Sequence, residues 1–246
     1  MGILNKTQSA GSWIKKSWNE GGIYGVLRLF NKHFLKYPRY LLAFFSRSHR
    51  RFEFNGESHP YFFNTYNFSW ENERTVEVPI ILEQIKKFRG KEILEVGNVL
   101  SHYLSFKHDI LDKYEVANGV INEDVVSFNP KKKYDLIVSI STLEHVGWDE
   151  TPKQEDKFNY AIKNLKKLSK LFGKIIITIP LGHNNYIDNL LMKGKSPFEE
   201  NYFLKRVSKS NRWKEIKKEE VGKFSYGSPF PYANVLFVGV IRNKKY

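Results

Sequence analysis

The chain has 246 residues, 41% of them hydrophobic and 15% aromatic, with no cysteine and a formal net charge of +14. Lacking cysteine, it has no disulfides, no thiolate metal site and no cysteine nucleophile. No run of about 18 apolar residues marks a spanning helix. The first residues also lack the charged, apolar, small-residue order of a secretory signal. Met1-Gly2 opens like a myristoylation site, but Lys6 breaks the pattern. The expectation is a cytoplasmic protein, membrane-peripheral at most.

The charge is concentrated at one end. Residues 1–52 hold ten Lys and Arg against a single acid, Glu20. Such a segment suits an anionic partner, either a membrane surface or RNA; a solvated surface from compositional bias is the plainer alternative. Gly21-Gly22 breaks the first stretch. Then Ile23, Val26, Leu27, Phe30 and Phe34 form one helical stripe, with Arg28, Lys32 and Lys36 on another face. Tyr37-Pro38 is expected to end that helix, and a short apolar run, residues 40–45, follows; the extension reads as docked on the main domain, with an interfacial membrane contact as the sharper alternative. Residues 52–71 are aromatic without a dominant period and read as an irregular covering segment. The extension is therefore placed at 1–70 and the main domain at 71–246.

The main domain alternates helix and strand. A helix is expected over residues 71–88, with Pro79 a kink or its first turn and Gly90 closing it. Ile93, Leu94 and Val96 then read as a strand covered on both faces, ending at Gly97. Further strands are expected at 108–112, around Val120-Ile121, and at 134–141. A long helix to Phe172 follows, with Phe158, Ala161, Ile162, Leu165, Leu168 and Phe172 on its core face. Gly173 would cap it and start a strand ending at Pro180. A helix at 199–209 and strands at 213–218 and 235–242 complete the pattern.

Taken together, Glu95-Val96-Gly97, Asp112, Glu123-Asp124-Val125, residues 134–146 and residues 173–180 resemble the class I S-adenosylmethionine-dependent methyltransferases. The resemblance covers residues 72–243. It implies an α/β fold: a doubly wound, mostly parallel seven-stranded sheet with an antiparallel last strand. It also implies S-adenosyl-L-methionine as cofactor, held by Glu95, Gly97, Asn98, Asp112, Asp124, Val125, Ile140 and Ser141. Asp112 would accept the ribose hydroxyls. Asp124 would accept the adenine amine, with the Val125 main chain beside it. Ser141 would meet the methionyl end or cap the next helix. One departure stands out: the family loop carries two or three glycines, whereas Gly97-Asn98-Val99-Leu100-Ser101 has one. That loop must hold its ligand differently, or hold none.

His145 and, on the loop after the fifth strand, His183 are the candidate general bases. Trp148 and Asp149 are candidate acceptor-pocket residues. A metal site from His102, His108, Asp109 and His145 has no recognised spacing, and none is expected. The expected reaction is methyl transfer to an oxygen or nitrogen of an unidentified small molecule or glycan. The alternatives are a non-catalytic module that kept the fold, or an RNA-binding methyltransferase. Oligomeric state is not legible.

Overall fold

A computed structural model describes residues 35–244. The stripe expected over residues 23–34 lies outside them. The chain divides into two compact units, one ending at His49 and one running from Arg50. In the first, helix α1 spans Lys36–Arg47. Pro38 lies in the first turn of this helix, where proline's missing N–H costs nothing. Ala43 is buried, while Leu41, Leu42 and Phe45 are exposed. Among the described residues no helix is long and apolar enough to cross a membrane.

The second unit begins with a hairpin, β1 (Arg51–Phe54) and β2 (Glu57–Pro60). Residues 52–60 are thus ordered strand where an irregular segment was expected. Asn55 and Gly56 make the turn, both at positive φ (50° and 74°), which a two-residue hairpin turn requires. Helix α2 (Arg74–Lys87) follows, with Pro79 inside it.

The main sheet has eight strands: β3 (Ile93–Val96), β4 (Asp109–Leu111), β5 (Val120–Ile121), β6 (Tyr134–Ile140), β7 (Ser169–Pro180), β8 (Glu200–Arg206), β9 (Trp213–Ile216) and β10 (Val235–Arg242). Their spatial order is β5-β4-β3-β6-β7-β10-β8-β9. The five strands β5 to β7 are mutually parallel, and β10 runs antiparallel to both β7 and β8. This is the doubly wound class I methyltransferase arrangement, with β9 added as an antiparallel edge. Side chains alternate between two cores. On β6, Ile137 faces one core with α3 (Lys157–Leu168), while Leu136, Val138 and Ile140 face the other with α2.

Two expectations fail here. Residues 200–206 form strand β8, not a helix. Phe203 and Leu204 are both buried, on opposite cores, which a strand between two neighbours accomplishes. Helix α3 stops at Leu168, so Gly173 neither caps it nor starts β7. Phe172 instead sits at the tip of an irregularity where β7 bulges against β6, at φ +64° and 76% exposed. The other five expected core positions of α3 are buried.

Candidate active site

Strand order reverses between β3 and β6, and at such a switch point the carboxyl ends of the strands leave a crevice. A cavity of about 550 Å³ opens there, within the usual range for small-molecule sites. Val96 and Gly97 line it from β3, Leu111 and Asp112 from β4, Glu123 to Val125 from the loop after β5, and Ser141, Thr142, His145 and Asp149 from the loop after β6.

Gly97 has φ +88°, and a Cβ there would lie 2.1 Å from Thr142 Oγ1. A glycine is needed for the turn itself. The following loop satisfies its own donors. The Gly97 N–H donates to Leu111 O (2.8 Å), and the Asn98 N–H donates to Asp112 Oδ2 (3.0 Å). The Val99 and Leu100 N–H groups both donate to Glu95 Oε1 (3.0 and 2.7 Å). Glu95 is fully buried and its other oxygen pairs with His108 Nε2 at 2.8 Å. So Glu95 and Asn98, expected at the ligand, organise the loop and lie outside the cavity lining. Amide donors that a glycine-rich loop would offer a ligand are spent internally.

Asp112 does line the cavity. Besides Asn98, its carboxylate accepts the N–H groups of Tyr114 (2.9 Å) and Glu115 (2.8 Å) through Oδ1. A carboxylate offers about four acceptor positions, so one remains for a ligand hydroxyl. Asp124 is more committed. Its Oδ2 is 2.7 Å from Lys157 Nζ and 3.0 Å from Lys113 Nζ, and Oδ1 accepts the Val126 N–H. Burial pushes this carboxyl up, but the Lys157 and Lys113 bonds outweigh it and bring its pKa to about 2. Glu123 next to it lines the cavity with no hydrogen-bond partner among the described residues, and the Val125 N–H is likewise free. Of the two acids, Glu123 is the one with acceptor positions left toward the cavity.

Ile140 is buried and absent from the lining; its carbonyl accepts Thr142 Oγ1 at 2.9 Å. Ser141 lines the cavity at φ +39°. Its hydroxyl turns away, donating to Glu77 Oε1 at 2.5 Å, an oxygen that also accepts from Thr178 (2.7 Å). No side-chain cap forms on the following turn, Leu143–His145. Arg74 pairs with the other Glu77 oxygen and is largely buried. Periodicity on α2 gave no sign of this network, because Glu77 falls on a face that reads as polar.

His145 Nδ1 is 2.5 Å from Asp149 Oδ2, four residues on in the turn that follows. His183 reaches the same oxygen from the loop after β7, with Nε2 at 3.6 Å, and the two imidazole rings lie 4.6 Å apart. Both candidate bases therefore meet on Asp149. Burial, then the neighbouring His145, lower the His183 pKa. Glu144 is 1% exposed, its carboxyl pushed well above the usual range by burial. Among these, the His145–Asp149 spacing of four residues was the readable signal; His183 joins only through the fold.

No protein-family model and no curated protein matches the sequence. Among solved structures, the chain is similar to the N-methyltransferase NodS from Bradyrhizobium japonicum, in complex with S-adenosyl-L-homocysteine. The identity is 13% over 70% of this chain and 88% of that one, with a TM-score of 0.43. It is also similar to a methyltransferase from Thermotoga maritima, a possible histamine N-methyltransferase, at 14% identity over 89% and 99%, TM-score 0.43. A third is an S-adenosylmethionine-dependent methyltransferase from Clostridium acetobutylicum, at 12% identity over 67% and 89%, TM-score 0.36. The likeness is distant, and a functional reading has to rest on the site itself.

Proposed function

We propose that the chain is an S-adenosyl-L-methionine-dependent methyltransferase acting on a small-molecule or glycan acceptor. The observation that carries this is the cavity's charge. On a chain of net charge +14, the crevice at the switch point is lined by Asp112, Glu115, Glu123, Asp124, Asp149 and Glu150; Lys113 and Lys157 pair with Asp124 and Glu150, which leaves four acids in excess. An acidic crevice suits a donor carrying a sulfonium and an ammonium group. Val96, Leu111, Val125 and Val146 supply apolar walls for an adenine. Asp112 keeps one acceptor position for the ribose, and Glu123 with the Val125 N–H faces the adenine edge.

The sulfonium supplies the chemical activation when the donor is bound. The protein's own residues hold donor and acceptor in line and, for a hydroxyl acceptor, remove a proton. His145, oriented through Nδ1 by Asp149, is placed for that at the cavity wall. Isothermal titration with S-adenosyl-L-homocysteine tests the reading, with micromolar affinity as the expected result. The spent loop amides favour one second reading, a module that kept the fold without catalysis. It predicts no binding. As a further proposal, the basic segment 1–52 contacts an anionic membrane surface or RNA.

A further inference from the structure

His145, Asp149 and His183 each offer a donor atom within 4.8 Å of the others. A hydrogen-bonded cluster would account for the His145–Asp149 contact but not for what surrounds it. His183 Nε2 is buried and makes no hydrogen bond; Asp149 Oδ2 is 3.6 Å away. Glu144 is 1% exposed, and neither of its oxygens has a hydrogen-bond partner. Its Oε1 points at His145 Nε2 from 3.7 Å. Buried polar atoms are nearly always partnered, so three orphans at one spot ask for an explanation. Separations of 3.6 and 3.7 Å are too long for hydrogen bonds. They are close to the spacing of neighbouring ligands on one ion, since bonds of about 2.0–2.2 Å put donor atoms roughly 3–3.6 Å apart.

We propose that His145, Asp149 and His183 bind a divalent transition-metal ion, with the Glu144 carboxylate behind them closing the site from the interior. Two imidazoles with carboxylate select zinc, cobalt, manganese or iron over magnesium and calcium, which prefer all-oxygen sites. Because His145 and Asp149 line the cavity, an ion held by them would be reachable from the cavity. Its catalytic part rests on the methyl-transfer reading above. In this arrangement His145 is a ligand and no longer the base: a bound ion would make an acceptor hydroxyl acidic enough to give its proton to solvent water near neutral pH. The resulting oxyanion attacks the sulfonium methyl; a C–O bond forms, the S–C bond breaks, and sulfur keeps the electron pair. The acceptor class is then a hydroxylated molecule, not an amine.

The test is titration of the untagged, chelator-stripped full chain with Co²⁺, read by visible absorption and calorimetry. One ion per chain at micromolar affinity is expected, with at least tenfold weaker binding in His183→Gln and in Asp149→Asn. Both variants should melt near the metal-free wild type, which separates ligation from folding. Magnesium at millimolar excess should not displace cobalt. No Co²⁺ binding by the wild type, or binding untouched by both variants, overturns the site. S-adenosyl-L-homocysteine is titrated alongside. Nucleoside binding without metal binding overturns this inference alone, and metal binding without nucleoside binding overturns the methyl-transfer reading alone.

Discussion

Gly97 leaves no room for a side chain, since φ is +88° and Thr142 Oγ1 would sit 2.1 Å from its Cβ. Gly97→Ala should therefore destabilise the domain by about 1–3 kcal/mol, measured by denaturant melts. Thr142→Ala should restore only part, since the backbone angle remains. Asp112→Ala removes a ligand position and the acceptor of three backbone N–H groups together, so it should lower both affinity and melting temperature. Glu123→Gln, whose carboxylate has no hydrogen-bond partner among the described residues, should weaken S-adenosyl-L-homocysteine roughly tenfold and leave the melt unchanged. An unaltered affinity would remove Glu123 from the site. Asp188 offers a pH test. It is 8% exposed, and burial raises its pKa to about 6 against the opposing Gly182 N–H bonds. Below about pH 4 both folded and unfolded forms are protonated, so nothing is lost. Between pH 4 and 6 the unfolded chain ionises first and stability falls; above 6 the full cost is present. Asp188→Asn should raise the melting temperature at pH 8 and barely change it at pH 4; equal shifts at both would contradict the burial account. The residues that could be read in advance were those with a motif, such as Asp112 after its strand. Glu95 and Asp124 could not be placed, because their partners His108, Lys113 and Lys157 converge only in three dimensions.

At the scale of elements, β3, β6, β10 and the core face of α3 were legible from apolar runs and period. Strand β8 was not, because its apolar residues Tyr202-Phe203-Leu204 are consecutive, with Phe203 and Leu204 buried on opposite faces between β10 and β9. A continuous apolar run does not separate helix from strand. Leu204→Ala should cost about 2–5 kcal/mol in denaturant melts, the usual range for a fully buried leucine. The hairpin was overlooked although Asn55-Gly56 is a strong turn signal; its neighbours Phe52 and Phe54 point inward and masked the alternation as a plain aromatic run. Helix α1 carries exposed Leu41, Leu42 and Phe45 within the basic segment. If that segment meets an anionic bilayer, deleting residues 1–47 should abolish salt-sensitive co-sedimentation with anionic liposomes. Binding to RNA and not to liposomes would redirect the proposal, and binding to neither would leave the charge as composition.

Across the whole molecule the charge is split: the chain as a whole is basic, and the crevice at the reversal of strand order is acidic. The order of the sheet was legible because five weak motifs fall in the right sequence, and each marks the carboxyl end of a parallel strand. The His145–Asp149–His183 cluster was not, since it joins the loop after β6 to the loop after β7. The account stands on the crevice taking a nucleoside sulfonium despite a loop whose amides are already bonded. Calorimetric titration of the wild-type chain with S-adenosyl-L-homocysteine measures this most directly. Binding of one ligand per chain at micromolar affinity is predicted; no heat of binding at millimolar ligand would contradict it.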